Sequence, residues 1–152
     1  MKKRTVVAGE PLVILLVEDN QDHAEMVMHS FKKHRVANRI YHVGDGEEAL
    51  DYLYRRGAYS DPASSPTPTV VLLDLRLPRI DGLEVLKELK SSSLKKIPVV
   101  ILTTSEREID VARAYDFHAN SYVVKPLGFE NFSSLMNDLG FYWLAWNHHP
   151  EI

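Results

Sequence analysis

Apolar residues along the chain fall into short unbroken runs that alternate with stretches of helical spacing. Leu12 to Val17 is an aliphatic run that stops at Glu18-Asp19-Asn20, too short for a typical helix and consistent with a strand buried on both faces. Ala24, Val27, Met28 and Phe31 then recur on one helical face, with Asn20 and Asp22 available as N-terminal caps. Ile40 to Val43 predicts a second strand ended by Gly44-Asp45-Gly46, and Ala49, Leu50 and Leu53 a second helix closing near Gly57. Ser60 to Thr69 carries Pro62, Pro66 and Pro68 and reads as a long loop. Val70 to Leu73 ends at Asp74, and Leu83, Leu86 and Leu89 trace a third helix up to Ser91-Ser92-Ser93. Val99 to Leu102 ends at Thr103-Thr104, followed by a helical face of Ile109, Ala112 and Tyr115. Tyr122 to Val124 ends at Lys125-Pro126, and Phe129, Phe132, Leu135, Met136 and Leu139 describe a fifth helix.

Five strands each followed by a helix imply an α/β fold, a mostly parallel sheet covered on both faces, since parallel neighbours require right-handed helical crossovers. The 152 residues suffice for one domain, expected over 12–139, with a flexible segment 1–11 and an aromatic extension 140–152. Zero cysteines exclude disulfides, thiol nucleophiles and Cys-ligated metal centres. A net charge of -3 without a massed basic run argues against nucleic-acid binding, and no run is long enough to span a bilayer, so a cytoplasmic location is expected.

The chemistry-bearing residues sit where the strands end, which is where open parallel sheets bind ligands. Glu18 and Asp19 follow the first strand, Asp74 the third, Thr103 the fourth and Lys125 the fifth. In the strand order 2-1-3-4-5 of the flavodoxin-like group the first and third strands are neighbours about 4.8 Å apart, which crowds the three carboxylates. Two like charges about 4 Å apart repel by about 4 kcal/mol at an effective dielectric near 20, so a cation is called for. Oxygen donors without His or Cys favour a hard ion, Mg²⁺ above all. A carboxylate beside such an ion is a candidate nucleophile toward phosphorus, with Lys125 and Thr103 placed to neutralise phosphoryl oxygens. Taken singly, each residue has a plainer role: Glu18 and Asp19 suit a helix start, Thr103 a strand and Lys125 a surface.

Together, Leu15-Leu16-Val17-Glu18-Asp19, Leu72-Leu73-Asp74-Leu75-Arg76-Leu77-Pro78 with Asp81-Gly82, Ile101-Leu102-Thr103 and Tyr122-Val123-Val124-Lys125-Pro126 resemble the motifs of receiver domains of two-component response regulators. The resemblance implies that Asp74 accepts a phosphoryl group from a histidine kinase. It also implies that Glu18, Asp19, Asp74 and the backbone carbonyl of Arg76 surround Mg²⁺. Thr103 is then expected to shift toward the phosphate, Tyr122 to turn inward with it, and the Lys125-Pro126 peptide to be cis. Thr104, Arg76 and Ser105 depart from the commonest pattern, the last two at positions that tune phosphate lifetime in the family. The Pro-rich loop, Asp45-Gly46-Glu47-Glu48-Ala49-Leu50, Arg55-Arg56-Gly57-Ala58-Tyr59 and Tyr142-Trp143-Leu144 look like single-domain regulators paired with bacterial phytochromes.

The residues after Lys125 suffice for a helix and a tail, so output is expected through the receiver's own surfaces. Phe141 to Trp146 is apolar on every side, which suggests a homodimer through the last helix and tail, or docking to the kinase. Two other classes stay open: a phosphatase of the haloacid-dehalogenase type, whose Asp nucleophile after the first strand and second Asp two positions later are not matched by Glu18-Asp19-Asn20, and a phosphorylation-independent binding module. A flavin carrier would need Gly, Ser or Thr where Glu18 and Asp19 stand. The seven histidines show no metal-binding spacing, although His23 lies near the expected site in sequence.

Overall fold

The computed structural model describes residues 3–5, 12–33, 38–126, 128, 130–132, 134–135, 138 and 148–150. In chain order the elements are β1 (Lys3–Thr5), β2 (Leu12–Val17), α1 (Gln21–Lys33), β3 (Asn38–Val43), α2 (Gly46–Leu53), β4 (Val70–Leu73), α3 (Gly82–Lys90), β5 (Val99–Thr103), α4 (Glu108–Asp116), β6 (Ser121–Val124) and β7 (His148–Pro150). Strands β3-β2-β4-β5-β6 form one sheet in that order, every neighbouring pair parallel. Counting only these five, the order is 2-1-3-4-5, the flavodoxin-like arrangement expected from the sequence. Lys3–Thr5, within the segment expected to be flexible, pairs antiparallel with His148–Pro150, which no sequence pattern had indicated.

The unbroken aliphatic runs follow from a sheet covered on both faces. Leu15, Val17, Val71, Leu73, Val99 and Ile101 point to one side and pack with Leu50, Leu53, Val85, Leu86, Leu89 and Ala114 from α2, α3 and α4. Ile14, Leu16, Val70, Leu72, Val100 and Leu102 point to the other, against Ala24, Val27 and Phe31 of α1 and against Phe132. Successive side chains of a strand face opposite sides, so in the inner strands β2, β4 and β5 no position is left for a polar residue until the strand ends. The loop from Ser60 to Thr69 is free of helix and strand as expected, pinned by the Tyr52 hydroxyl donating to the Pro66 carbonyl at 2.8 Å.

Three expectations need correction or restriction. α2 ends at Leu53, and the chain reaches the Gly57 region through a turn and a short 3₁₀ segment, Gly57–Tyr59. α4 forms where expected, but Ile109 and Tyr115 are 46% and 50% exposed and Ala112 is exposed too; Asp110 and Ala114 take the inward positions. The rotation follows from hydrogen bonds that hold Asp110 to the β5–α4 loop, described below. Of the expected fifth helix, residues 130–132, 134, 135 and 138 are helical and Phe132 is buried. Phe129, Met136 and Leu139, and the tail Phe141 to Trp146, lie outside the described residues.

One close approach sets the loop after β4. Gly82 opens α3 against the backbone of Asp74 and Leu75, its N–H donating to the Leu75 carbonyl at 3.0 Å. A Cβ there would stand 2.2 Å from the Asp74 carbonyl oxygen and 2.7 Å from Leu75 Cα, so helix and loop must separate to admit it. Gly82→Ala is expected to destabilise the fold by about 1–3 kcal/mol, the usual penalty of overpacking. Urea unfolding followed by circular dichroism checks this; an unchanged midpoint would show that the contact is slack.

Candidate functional site

The sheet positions the polar groups by extending its hydrogen-bond ladder one residue past each strand. The N–H of Glu18 donates to the Val43 carbonyl at 3.1 Å, that of Asp74 to Val17 at 3.1 Å, and that of Lys125 to Thr103 at 2.7 Å. Residues from three strand ends are thereby fixed in register before any side chain is considered. Glu18, Asp74, Thr103 and Lys125 are all buried, while Asp19 is exposed.

Carboxylate oxygens of Glu18, Asp19 and Asp74 lie within 4.8 Å of one another. The Lys125 ammonium sits among two of these acids. It donates to Glu18 Oε1, to Asp74 Oδ2 at 3.1 Å and to His23 Nδ1 at 3.0 Å, which uses all three of its protons. Asn20 stabilises this side of the site twice over. Its N–H donates to Glu18 Oε2 at 3.2 Å, and its side-chain oxygen caps α1 by accepting from the His23 N–H at 3.1 Å. Opposite, the Arg76 N–H donates to Asp74 Oδ1 at 3.2 Å.

Burial pushes the Glu18 carboxyl up to about 7, against the lowering effect of its hydrogen bond to Lys125, and the Asp74 charge adds to the rise. His23 is shifted the other way, first by burial and then by the ammonium beside it, which favours the neutral ring and suits Nδ1 as an acceptor from Lys125. Its ring also stacks on Phe132, with centroids 6.4 Å apart.

The donor set consists of oxygens from three acids on two strand ends, partly buried and partly open at Asp19. That chemistry fits a small hard divalent cation: charge neutralisation is needed, and a set of few protein oxygens leaves positions for water or a phosphoryl oxygen. The structure therefore brings together Glu18, Asp19, Asp74 and Lys125. Thr103 is wholly buried at the end of β5, its Oγ1 accepting from the Ser105 N–H at 3.4 Å, and the Tyr122 hydroxyl donates to the Ser105 carbonyl at 2.9 Å. The Lys125–Pro126 peptide is trans, contrary to the expectation of a cis bond. A trans preference of only about 0.5–1 kcal/mol for X–Pro bonds leaves either isomer accessible, and Lys125 reaches both acids from the trans form.

Sequence reasoning missed two contacts. His42 Nε2 lies 2.7 Å from the Glu18 carbonyl oxygen and braces the loop after β2 from β3. Asp110, which is not among the residues expected on the inward face of α4, is buried and bonded to Ser105 and Arg76. A polar residue beside the apolar positions of α4 carried no signal of its partners.

A parallel doubly wound sheet with clustered acids and a buried lysine at its C-terminal edge defines a receiver-type phosphoacceptor architecture. The family model for the response regulator receiver domain matches residues 14–137, and the chain belongs to that family. It is 46% identical over 144 residues to the probable methanogenesis regulatory protein FilR2 of Methanothrix harundinacea, covering 94% of this chain and 90% of that protein. It is 38% identical over 138 residues to response regulator Rcp1 of Synechocystis, covering 90% and 92% respectively. A crystal structure of Mn²⁺-bound Rcp1 superposes with a TM-score of 0.86 at 37% identity, covering 93% of this chain and 100% of that one. The phosphorylated cyanobacterial phytochrome response regulator RcpA gives the same TM-score and identity, covering 93% and 99%.

The raised Glu18 value has a consequence for stability. Its ordinary value is 4.5, so the folded protein holds this proton more tightly than the unfolded chain does. The stability this supplies is complete below 4.5 and is lost as pH rises through about 7. A divalent cation held by these acids would replace the proton above that range, so Mg²⁺ is expected to raise the melting temperature more at about pH 8 than at about pH 6. Thermal melts with Mg²⁺ and with chelator at both pH values check this, and equal increments would contradict it.

Proposed function

We propose that this chain is a response regulator whose Asp74 accepts a phosphoryl group from a sensor histidine kinase. The observation that carries the proposal is the position of Asp74, with a carboxylate oxygen 3.1 Å from the Lys125 ammonium and an oxygen within 4.8 Å of oxygens of Glu18 and Asp19. Mg²⁺ is the proposed cation, held by Glu18, Asp19, Asp74 and the backbone carbonyl of Arg76. When bound it supplies positive charge beside the entering phosphoryl group. The manganese ion in the Rcp1 structure and the phosphate on RcpA support this reading by similarity.

The residues of the chain divide the work by position. An Asp74 oxygen attacks phosphorus, and the bond from phosphorus to the kinase nitrogen breaks with its electron pair returning to the imidazole. The reaction needs alignment and charge neutralisation more than proton transfer, because its transition state is loose. Lys125 is saturated by Glu18, Asp74 and His23, so it must release a partner to reach a phosphoryl oxygen. Glu18 is the partner to be released, since the cation takes over its charge. Thr103 supplies a hydroxyl to another phosphoryl oxygen once it gives up the Ser105 N–H.

Signalling in this reading proceeds through Ser105, whose carbonyl is held by Tyr122 and whose N–H is held by Thr103. Movement of Thr103 toward a phosphate frees the loop and lets Tyr122 turn inward, a two-state change biased by the added charge. The proposed kinase is of the bacterial phytochrome type, by similarity to RcpA. Output follows from conformational change or from homodimerisation through the last helix and the aromatic tail. The haloacid-dehalogenase alternative loses ground because the chain belongs to the receiver family, and the intact acid cluster with its lysine disfavours a phosphorylation-independent binding module.

Incubation with a small acyl phosphate and Mg²⁺, followed by intact-mass measurement, tests the proposal. One phosphoryl increment is expected on the wild type, none with chelator and none on Asp74→Asn, with loss of at least about tenfold in rate for Lys125→Ala if its ammonium contributes as electrostatic stabilisers usually do. An increment that survives Asp74→Asn overturns the assignment.

A further inference from the structure

Asp110 is a buried acid, 6% exposed, on the first turn of α4 where an apolar residue would ordinarily face the core. One of its oxygens accepts two hydrogen bonds, from Ser105 Oγ at 2.6 Å and from the Arg76 guanidinium at 3.2 Å. Arg76 in turn donates its backbone N–H to Asp74 Oδ1. The Arg76 side chain is 60% exposed, and the hydrogen bond of its guanidinium is to Asp110, not to Asp74 two residues before it. Its position on the chain keeps it next to the acid that receives the phosphoryl group.

We propose that Asp110 is a positioning residue that shortens the life of phosphorylated Asp74 by holding Arg76 off the phosphoryl group. The inference rests on Asp74 as the phosphoacceptor. A phosphoryl group brings close to two negative charges and three strong acceptor oxygens, and a guanidinium matches two of them at once. Asp110 competes for the same guanidinium with a single charge from a fixed place on α4. While it succeeds, the outer face of the phosphoryl group stays open to water. Hydrolysis then forms a bond from water oxygen to phosphorus and breaks the bond from phosphorus to the Asp74 oxygen. The electron pair returns to the carboxylate, and the protons of water leave with inorganic phosphate. Released from Asp110, Arg76 pairs with the phosphoryl oxygens already in the ground state and covers the approach of water, which lengthens the lifetime without aiding the transition state.

The same oxygen of Asp110 also holds Ser105, so the acid that governs Arg76 is tied to the loop that carries Thr103 and Tyr122 contacts. Lifetime and loop position are thereby set through one side chain.

The test loads the full chain with a small acyl phosphate and Mg²⁺, removes the donor, and follows loss of the phosphoryl increment by intact mass. Wild type, Asp110→Asn, Arg76→Ala and the double variant are compared, with circular dichroism confirming that each is folded. Asp110→Asn is expected to lengthen the half-life about threefold, the scale of a partly exposed ion pair, and to have no effect in the Arg76→Ala background. Arg76→Ala, a change at an exposed side chain, is expected to fold and to live no longer than wild type, so it decides the matter even if Asp110→Asn is unfolded. An unchanged or shorter half-life for Asp110→Asn, the same lengthening in both backgrounds, or a longer half-life for Arg76→Ala overturns the inference. Absence of a phosphoryl increment on every protein contradicts the proposed function as well, whereas normal loading with unchanged lifetimes contradicts this inference alone.

Discussion

Three carboxylates drawn to one edge of a sheet repel one another, and a single buried ammonium offsets only part of that repulsion. Glu18, Asp19 and Asp74 come within 4.8 Å because the backbone ladder leaves them no alternative: their strands are adjacent and end together. Lys125 spends all three protons on Glu18, Asp74 and His23, and Glu18 still keeps a carboxyl shifted up to about 7. Such a site is poised. In the proposed reading it gains from a cation, and the lysine freed by that cation supplies the charge a phosphoryl group needs.

What surrounds the acids ties them to one loop. Ser105 is gripped by Thr103, Tyr122 and Asp110, one residue from each of three elements, so the β5–α4 loop has no independent position. Thr103 contacts this loop directly, and Arg76 shares an Asp110 oxygen with it. Ile109 and Tyr115 stand exposed on α4 just beyond it, because the inward place on that helix belongs to Asp110. The helix face and the loop therefore share a cause.

The strands were legible because the sheet is buried on both sides: Leu12 to Val17 and Val70 to Leu73 had to be unbroken aliphatic runs, and their ends had to be polar. The acids and the lysine were legible for the same reason, as the first polar residues after each run. Contacts between distant segments were not. Spacing on α4 chose Ile109, Ala112 and Tyr115 as the buried face, but Arg76, 34 positions away, helps decide the matter by pairing with Asp110. His23 was suspected from its place in the chain, yet its role as acceptor for an ammonium 102 positions away is a tertiary fact. His42 gave no sign of bracing Glu18, since a histidine in a half-buried strand carries no record of what it faces.

Diffraction from crystals of the full chain soaked in Mn²⁺, collected at a wavelength where manganese scatters anomalously, addresses the central claim most directly. A single anomalous peak touching carboxylate oxygens of Glu18 or Asp19 and of Asp74, with the Lys125 ammonium no longer bonded to Glu18, is the expected result. An acid cluster free of manganese, or an ion bound elsewhere while Lys125 keeps its grip on Glu18, would contradict the claim that these acids converge to hold a cation and free the lysine.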